Sequence, residues 1–254
     1  MSEIRTEVAD GVAVLTLDAP QRRNAITLAM CDEISAACDA IESDGSVRAV
    51  VVTGSGTAFC AGADLSHLGG DHGRSTEDGL LAIYEGFLRI ARSPLPTIAA
   101  VNGPAVGAGM NLALACDVRV AARSARFDAR FLQLGIHPGG GHTWLLRRLV
   151  GPQTASAMVL FGEILDGPAS ETAGLSLRCV EDDELLSTAM GLASRAAAAP
   201  RELVVRTKAT LAEVASIDDH ETAVHRELGD QAWSAEQPAF RERLAAMQQR
   251  ISNR

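Results

Sequence analysis

Two stretches of the chain put glycine and alanine where a ligand could meet bare backbone. The first is Phe59-Cys60-Ala61-Gly62-Ala63-Asp64-Leu65, and the second is Val101-Asn102-Gly103-Pro104-Ala105-Val106-Gly107-Ala108-Gly109-Met110-Asn111. Each reads as a strand, a turn of small residues and the start of a helix. The first amides of a helix have no intrahelical partner, and the helix dipole places partial positive charge behind them. Two such turns can aim two N–H groups at one oxygen, an arrangement that stabilises charge developing on a carbonyl. The same glycines also suit a structural role in tight turns and close helix–sheet packing. Nucleotide-binding readings fail on spacing. Leu112 stands where a Gly107-x-Gly109-x-x-Gly fingerprint needs its last glycine, and the single lysine, Lys208, follows Thr207 rather than a glycine run.

The proton-exchanging side chains near these turns are histidines. His67 and His72 follow the first turn, while His137 and His142 bracket Pro138-Gly139-Gly140-Gly141. Imidazole suits general-base work near neutral pH, and a loop histidine satisfied by backbone or water is the structural alternative. Metal ligation fits worse, because loop spacings broken by glycines set no common ligand face, and no metal site is expected. Cys60 has no adjacent base in sequence and does not read as a nucleophile. Tyr84 reads as packing and Asp128 as a surface-turn carboxylate.

The elements that must position these turns follow from periodicity. Residues 4–8 and 12–17 form apolar or alternating runs around Asp10-Gly11, a hairpin signal. Thr27 can cap a helix with the apolar stripe Met30, Ile34, Ala37, Ile41, which ends before Asp44-Gly45. Residues 49–53 and 97–101 read as buried strands, with a helix over about 80–91 between them that stops before Pro94 and Pro96. The glycine turn at 103–109 leads to a helix over 111–115 and a strand over 118–121. Alternation of this kind argues for right-handed crossovers and a mainly parallel sheet, so the fold class is α/β. From Gly151 onward only 177–180 reads as a strand, and helices are expected over about 183–198, 200–214, 218–233 and 238–251. The expected organisation is a core over 1–200 and a helical C-terminal subdomain over 201–254.

Composition bounds the partners. The chain has 254 residues, 23 Lys+Arg against 32 Asp+Glu, and a net charge of −9, which excludes a broad basic face for nucleic acid or anionic membrane but not a small anionic ligand. Five cysteines without a C-x-x-C pair indicate neither a disulfide framework nor a zinc knuckle. The first residues, MSEIRTEVADG, have no signal-peptide or transit-peptide character, and no run approaches a membrane span, so a cytoplasmic location is expected.

Phe59-Cys60-Ala61-Gly62-Ala63-Asp64-Leu65 resembles the F-x-A-G-A-D-[IL] motif of the crotonase superfamily, the enoyl-CoA hydratase/isomerase group. Val101 to Gly109 resembles its A-x-N-G-x-A-x-G-G-G motif, and Pro20-Gln21-Arg22-Arg23-Asn24-Ala25-Ile26 its early P-x-x-x-N-A-[LM]. Cys116-Asp117 and Leu134-Gly135-Ile136-His137-Pro138-Gly139-Gly140-Gly141 are similar to two further family segments, in family order. The resemblance implies a crotonase-like ββα spiral core and a homotrimer or dimer of trimers with the C-terminal helices at the interface. It also implies that the backbone N–H groups of Ala63 and Ala108 form an oxyanion hole for a thioester oxygen. Coenzyme A, as part of an acyl-CoA ligand rather than a resident cofactor, would lie along Ala61, Asp64, Leu65 and Ser66, with Arg22, Arg23 or Ala25 near its pantetheine or phosphates. Arg22-Arg23 as a solvated pair and Asp64 as a helix cap are the structural alternatives.

The chain departs from the family where the resemblance would place two catalytic glutamates, which here are Asn111 and Phe131. Neither side chain can exchange a proton at neutral pH, although Asn111 could orient a water or a substrate carbonyl. The expected function is therefore acyl-CoA binding by a protein classed with the enoyl-CoA hydratases of fatty acid metabolism, with weak or altered thioester-enolate chemistry. Two alternatives stand beside it: a non-catalytic acyl-CoA carrier or sensor, and an acyl-CoA isomerase that uses His137 or His142 as base.

Overall fold

The computed structural model describes residues 2–64 and 75–252. The chain opens with β1 (Ile4–Ala9) and β2 (Val12–Leu17), paired antiparallel across the Asp10-Gly11 turn, where both residues have positive φ. Helix α1 (Leu28–Ser43) is capped by Thr27, whose hydroxyl accepts the Met30 N–H at 3.1 Å. Strand β3 (Ala49–Gly54) then lies parallel to β2. Helix α2 (Thr76–Ala91) starts a turn earlier than the apolar pattern implies, because Ser75 caps it and Glu77 and Asp78 favour its first turn.

Strands β4 (Thr97–Val101), β6 (Val118–Ala122) and β9 (Arg178–Val180) continue the sheet in parallel, giving the order β1-β2-β3-β4-β6-β9. Its inner strands are apolar on both faces. Val50, Val52, Ala99 and Val101 face a core shared with α1 and α2. Ala49, Val51, Ile98 and Ala100 face α6 (Leu185–Ala197) through Leu185, Ala189 and Ala193. Cover on both sides explains why these strands read as continuous rather than alternating runs.

A second sheet was not legible from the pattern. Strand β5 (Pro104–Val106) lies inside the glycine-rich turn, parallel to β7 (Arg126–Asp128), which pairs antiparallel with β8 (Leu165–Asp166). These strands are two or three residues long, too short to show a period. Helix α3 (Ala108–Ala115) begins at Ala108, three residues before its expected start. Helix α4 (His142–Phe161) is kinked at Gly151-Pro152, and α5 (Gly167–Thr172) follows β8.

The C-terminal helices α7 (Arg201–Val214), α8 (His220–Glu236) and α9 (Pro238–Ser252) bury no residue fully in this chain. Helix α7 is tied to the core by polar contacts. Lys208 reaches Asp117 at 2.7 Å and the Leu95 carbonyl at 2.8 Å, while Arg201 donates to the carbonyls of Glu42 and Val47. No helix among the described residues is long and apolar enough to cross a membrane.

Candidate active site

The two glycine turns lie side by side. Cys60 N–H donates to the Pro104 carbonyl at 3.1 Å and Val106 N–H to the Cys60 carbonyl at 3.0 Å, so residues 60–63 run beside 105–108. Gly109 permits this approach, since a β-carbon there would fall 2.1 Å from the Cys60 carbonyl oxygen. Gly62 and Gly107 have φ of 115° and 52°, which a side chain would strain. Beyond the turns, Ile26 N–H donates to the Gly62 carbonyl and Asp64 N–H to the Ile26 carbonyl, each at 2.8 Å. These bonds leave the amide between them over: among the described residues neither Ala63 N–H nor Ala108 N–H has a backbone partner. Ala108 opens α3, so its amide stands at a helix N-terminus.

Both alanines line one cavity of about 820 Å³. Its wall is mainly apolar, with Ile83, Phe131, Leu134, Ile136, Pro138 and Ile164, and it includes the arginines Arg23, Arg126 and Arg130. That local positive charge sits on a chain of net charge −9. Asn24, buried behind the first turn, holds it in place by accepting from Ala19 N–H and donating to the carbonyls of Ser55 and Ala58 at 2.9 Å.

The residues singled out from the sequence divide clearly. Ala61, Ala63, Ala108, Asn111, Phe131, His137 and Arg23 share the cavity wall. Among the described residues the wall does not include Arg22, Ala25, Asp64 or His142. Arg22 is engaged by Glu3 and donates to the Ala25 carbonyl at 3.2 Å, and its guanidinium holds the Glu3 carboxyl below the usual carboxylate range. Leu65, Ser66, His67 and His72 lie outside the described residues. Cys60 is buried, and burial pushes its thiol up to about 12, which leaves no thiolate near neutral pH. Among the described residues no cluster of three His, Cys, Asp or Glu side chains could hold a metal.

The two central histidines differ in place. His137 is exposed on the cavity wall with Nδ1 2.7 Å from the Pro138 carbonyl, so that nitrogen donates, and among the described residues Nε2 has no hydrogen-bond partner. His142 stands behind the wall at 1 % exposure, with Nδ1 2.7 Å from Asn111 Oδ1. Phe131 closes its ring edge-on over the imidazole, with centroids 4.9 Å apart. Burial lowers the His142 pKa to about 4, which holds the ring neutral at ordinary pH.

One residue proves closer to the site than its sequence context implied. Asp128 is not on a surface turn. It is buried on the cavity wall beside Arg130, and its carbonyl accepts the Gly107 N–H at 2.9 Å. Only the hidden strand β7 places it there, so no local signal marked it. Tyr84 both packs and lines the cavity, with its hydroxyl against Gly139, where a β-carbon would fall 2.0 Å away.

A model of the enoyl-CoA hydratase/isomerase family matches residues 7–248. A probable enoyl-CoA hydratase of Mycobacterium tuberculosis is 52% identical over 244 residues, 94% of each chain. A 1,2-epoxyphenylacetyl-CoA isomerase of Escherichia coli is 36% identical over 204 residues, covering 79% of this chain and 78% of its own. Among solved structures, an enoyl-CoA hydratase from Bacillus anthracis superposes with a TM-score of 0.92 at 28% identity, covering 98% of this chain and 97% of that one.

Proposed function

The chain belongs to the enoyl-CoA hydratase/isomerase family, an enzyme family of lyases and isomerases, and on that premise we propose that it binds an acyl-CoA thioester and promotes proton transfer at C2 through an enolate. The observation that carries this reading is the pair of amides, Ala63 N–H and Ala108 N–H, which have no backbone partner among the described residues and belong to adjacent turns of one cavity. They act as the oxyanion hole: as a base removes the C2 proton, the electron pair moves onto the thioester oxygen and meets two fixed donors. The apolar wall takes the acyl chain. Arg23, at the Ala61–Ala63 turn, faces the anionic coenzyme A portion, which is ligand rather than resident cofactor.

Two-carboxylate water addition does not suit this site, because Asn111 and Phe131 occupy the positions that the family motif gives to glutamate. His137 is the better candidate base on the wall, since its free Nε2 accepts a proton without disturbing the bond from Nδ1. His142 is buried behind Asn111 and does not serve. The exposed apolar residues Leu211, Leu228, Phe240 and Leu244 of the C-terminal helices support self-association, which we place as a homotrimer or dimer of trimers.

The test is exchange of the C2 protons of butyryl-CoA in deuterated water, run beside hydration of crotonyl-CoA and calorimetric binding of both thioesters. Exchange without appreciable hydration, lost in His137→Ala, is the expected result. Tight binding with neither reaction would mean a carrier or sensor, the reading that the missing carboxylates otherwise favour. Fast crotonyl-CoA hydration that survives Asn111→Ala would overturn the assignment of these positions.

A further inference from the structure

His142 has a buried polar role that the proposed reaction leaves unused. Asn111 is 2 % exposed, and its carboxamide is held at both ends. Nδ2 donates to the Gly139 carbonyl at 3.0 Å, and Oδ1 faces His142 Nδ1 at 2.7 Å. The donor assignments follow by elimination. A carbonyl oxygen only accepts, so the edge of Asn111 at Gly139 must be the NH2, and Oδ1 must point to the imidazole. An Oδ1 acceptor then requires the His142 proton on Nδ1, which leaves Nε2 bare, and among the described residues Nε2 has no partner. Nδ2 carries a second N–H beyond the one given to Gly139, and because Asn111 and Gly139 line the cavity while His142 does not, this second N–H is the one available to a ligand.

We infer that His142 is a positioning residue that fixes the Asn111 carboxamide with its second N–H toward the acyl pocket, making Asn111 a dedicated donor to an oxygen at C3 of the bound thioester. Asn111 lies three residues after Ala108 on α3, about 4.5 Å further along the helix, which suits an atom two carbons beyond the thioester carbonyl. Phe131 serves the same arrangement. Its ring covers the imidazole, and burial keeps His142 neutral, so that Nδ1 donates while the imidazole itself adds no charge behind Asn111. The glutamate positions thus hold a built donor rather than a vacated acid–base pair. This inference rests on the acyl-CoA reading above.

The experiment compares calorimetric affinities of the full-length protein for 3-hydroxybutyryl-CoA and butyryl-CoA. One hydrogen bond to the C3 oxygen predicts about a tenfold preference for the hydroxylated ligand. His142→Leu is expected to abolish the preference while leaving butyryl-CoA affinity within about threefold. His142→Asn, whose side-chain NH2 can take the place of Nδ1–H, is expected to restore most of it, an outcome that loss of packing alone would not give. In parallel, histidine nitrogen NMR of the wild-type protein should show a protonated Nδ1 and a bare Nε2 on His142. An undiminished preference in His142→Leu, or a proton on Nε2, would overturn the inference. Should His142→Leu not fold, the NMR tautomer and the preference of Asn111→Leu decide it. Failure of both thioesters to bind would instead refute the acyl-CoA reading, with the tautomer still deciding whether His142 holds Asn111 as stated.

Discussion

Lowering the pH should cost this protein stability through one residue, and the size of the effect follows from where His142 lies. Its folded pKa is about 4 against an ordinary 6.5, because a ring at 1 % exposure would have to carry its charge without water. Between those two values the unfolded chain binds a proton that the folded chain refuses, so unfolding is favoured as pH falls. At about 1.4 kcal/mol per pKa unit, the gap corresponds to roughly 3 kcal/mol, absent above about pH 7 and nearly fully expressed by about pH 4. Surface carboxylates also lose their partners in this range, so the wild-type curve alone does not isolate the effect. His142→Asn removes the titrating group while keeping a donor to Asn111, and the difference between the two proteins is the quantity to measure. Urea unfolding free energies at about pH 7 and about pH 4.5, taken at one protein concentration because a self-associating chain has a concentration-dependent midpoint, should show the wild type losing about 2.5 kcal/mol more than the variant. Equal losses would mean that His142 titrates normally, and the burial argument would fail with it.

Three further outcomes test the rest of the site. Ala108→Pro deletes the amide at the first position of α3, where proline is tolerated, so the protein should fold while C2 exchange falls by roughly 100- to 1,000-fold; unchanged exchange would count against the oxyanion hole. Phe131→Glu puts a carboxylate against the imidazole and should raise the His142 pKa from about 4, read by NMR titration; a value that does not move would show that the Phe131 side chain does not face the ring. Gly109→Ala forces a β-carbon onto the Cys60 carbonyl and should destabilise the fold by roughly 1–3 kcal/mol with loss of thioester binding, measured by thermal melting and calorimetry; a silent substitution would mean that the two turns are not so close.

Much of the molecule is written in local pattern. Asp10-Gly11 forms the first turn, Thr27 caps α1, and the strands 97–101 and 118–122 stand where their apolar runs put them. The two small-residue turns were legible as places where backbone donors could meet a ligand, the choice of Ala63 and Ala108 within them came from the resemblance to the crotonase motifs, and the structure puts both alanines on the cavity wall. Strands β5, β7 and β8 were not legible, since two or three residues carry no period and their pairing is long-range. With β7 hidden, Asp128 passed for a surface residue.

The sequence by itself determined the α/β architecture, the two glycine turns and the absence of glutamate at positions 111 and 131. It also presented His137 and His142 as equivalent, five residues apart around the same glycines. Tertiary structure alone separated them: one on the cavity wall with a free nitrogen, the other buried behind Asn111 under the Phe131 ring. The physical reason is that a side chain's chemistry depends on its solvent and its partner. Both are set by residues distant in the chain, 31 positions away in the case of Asn111 and His142.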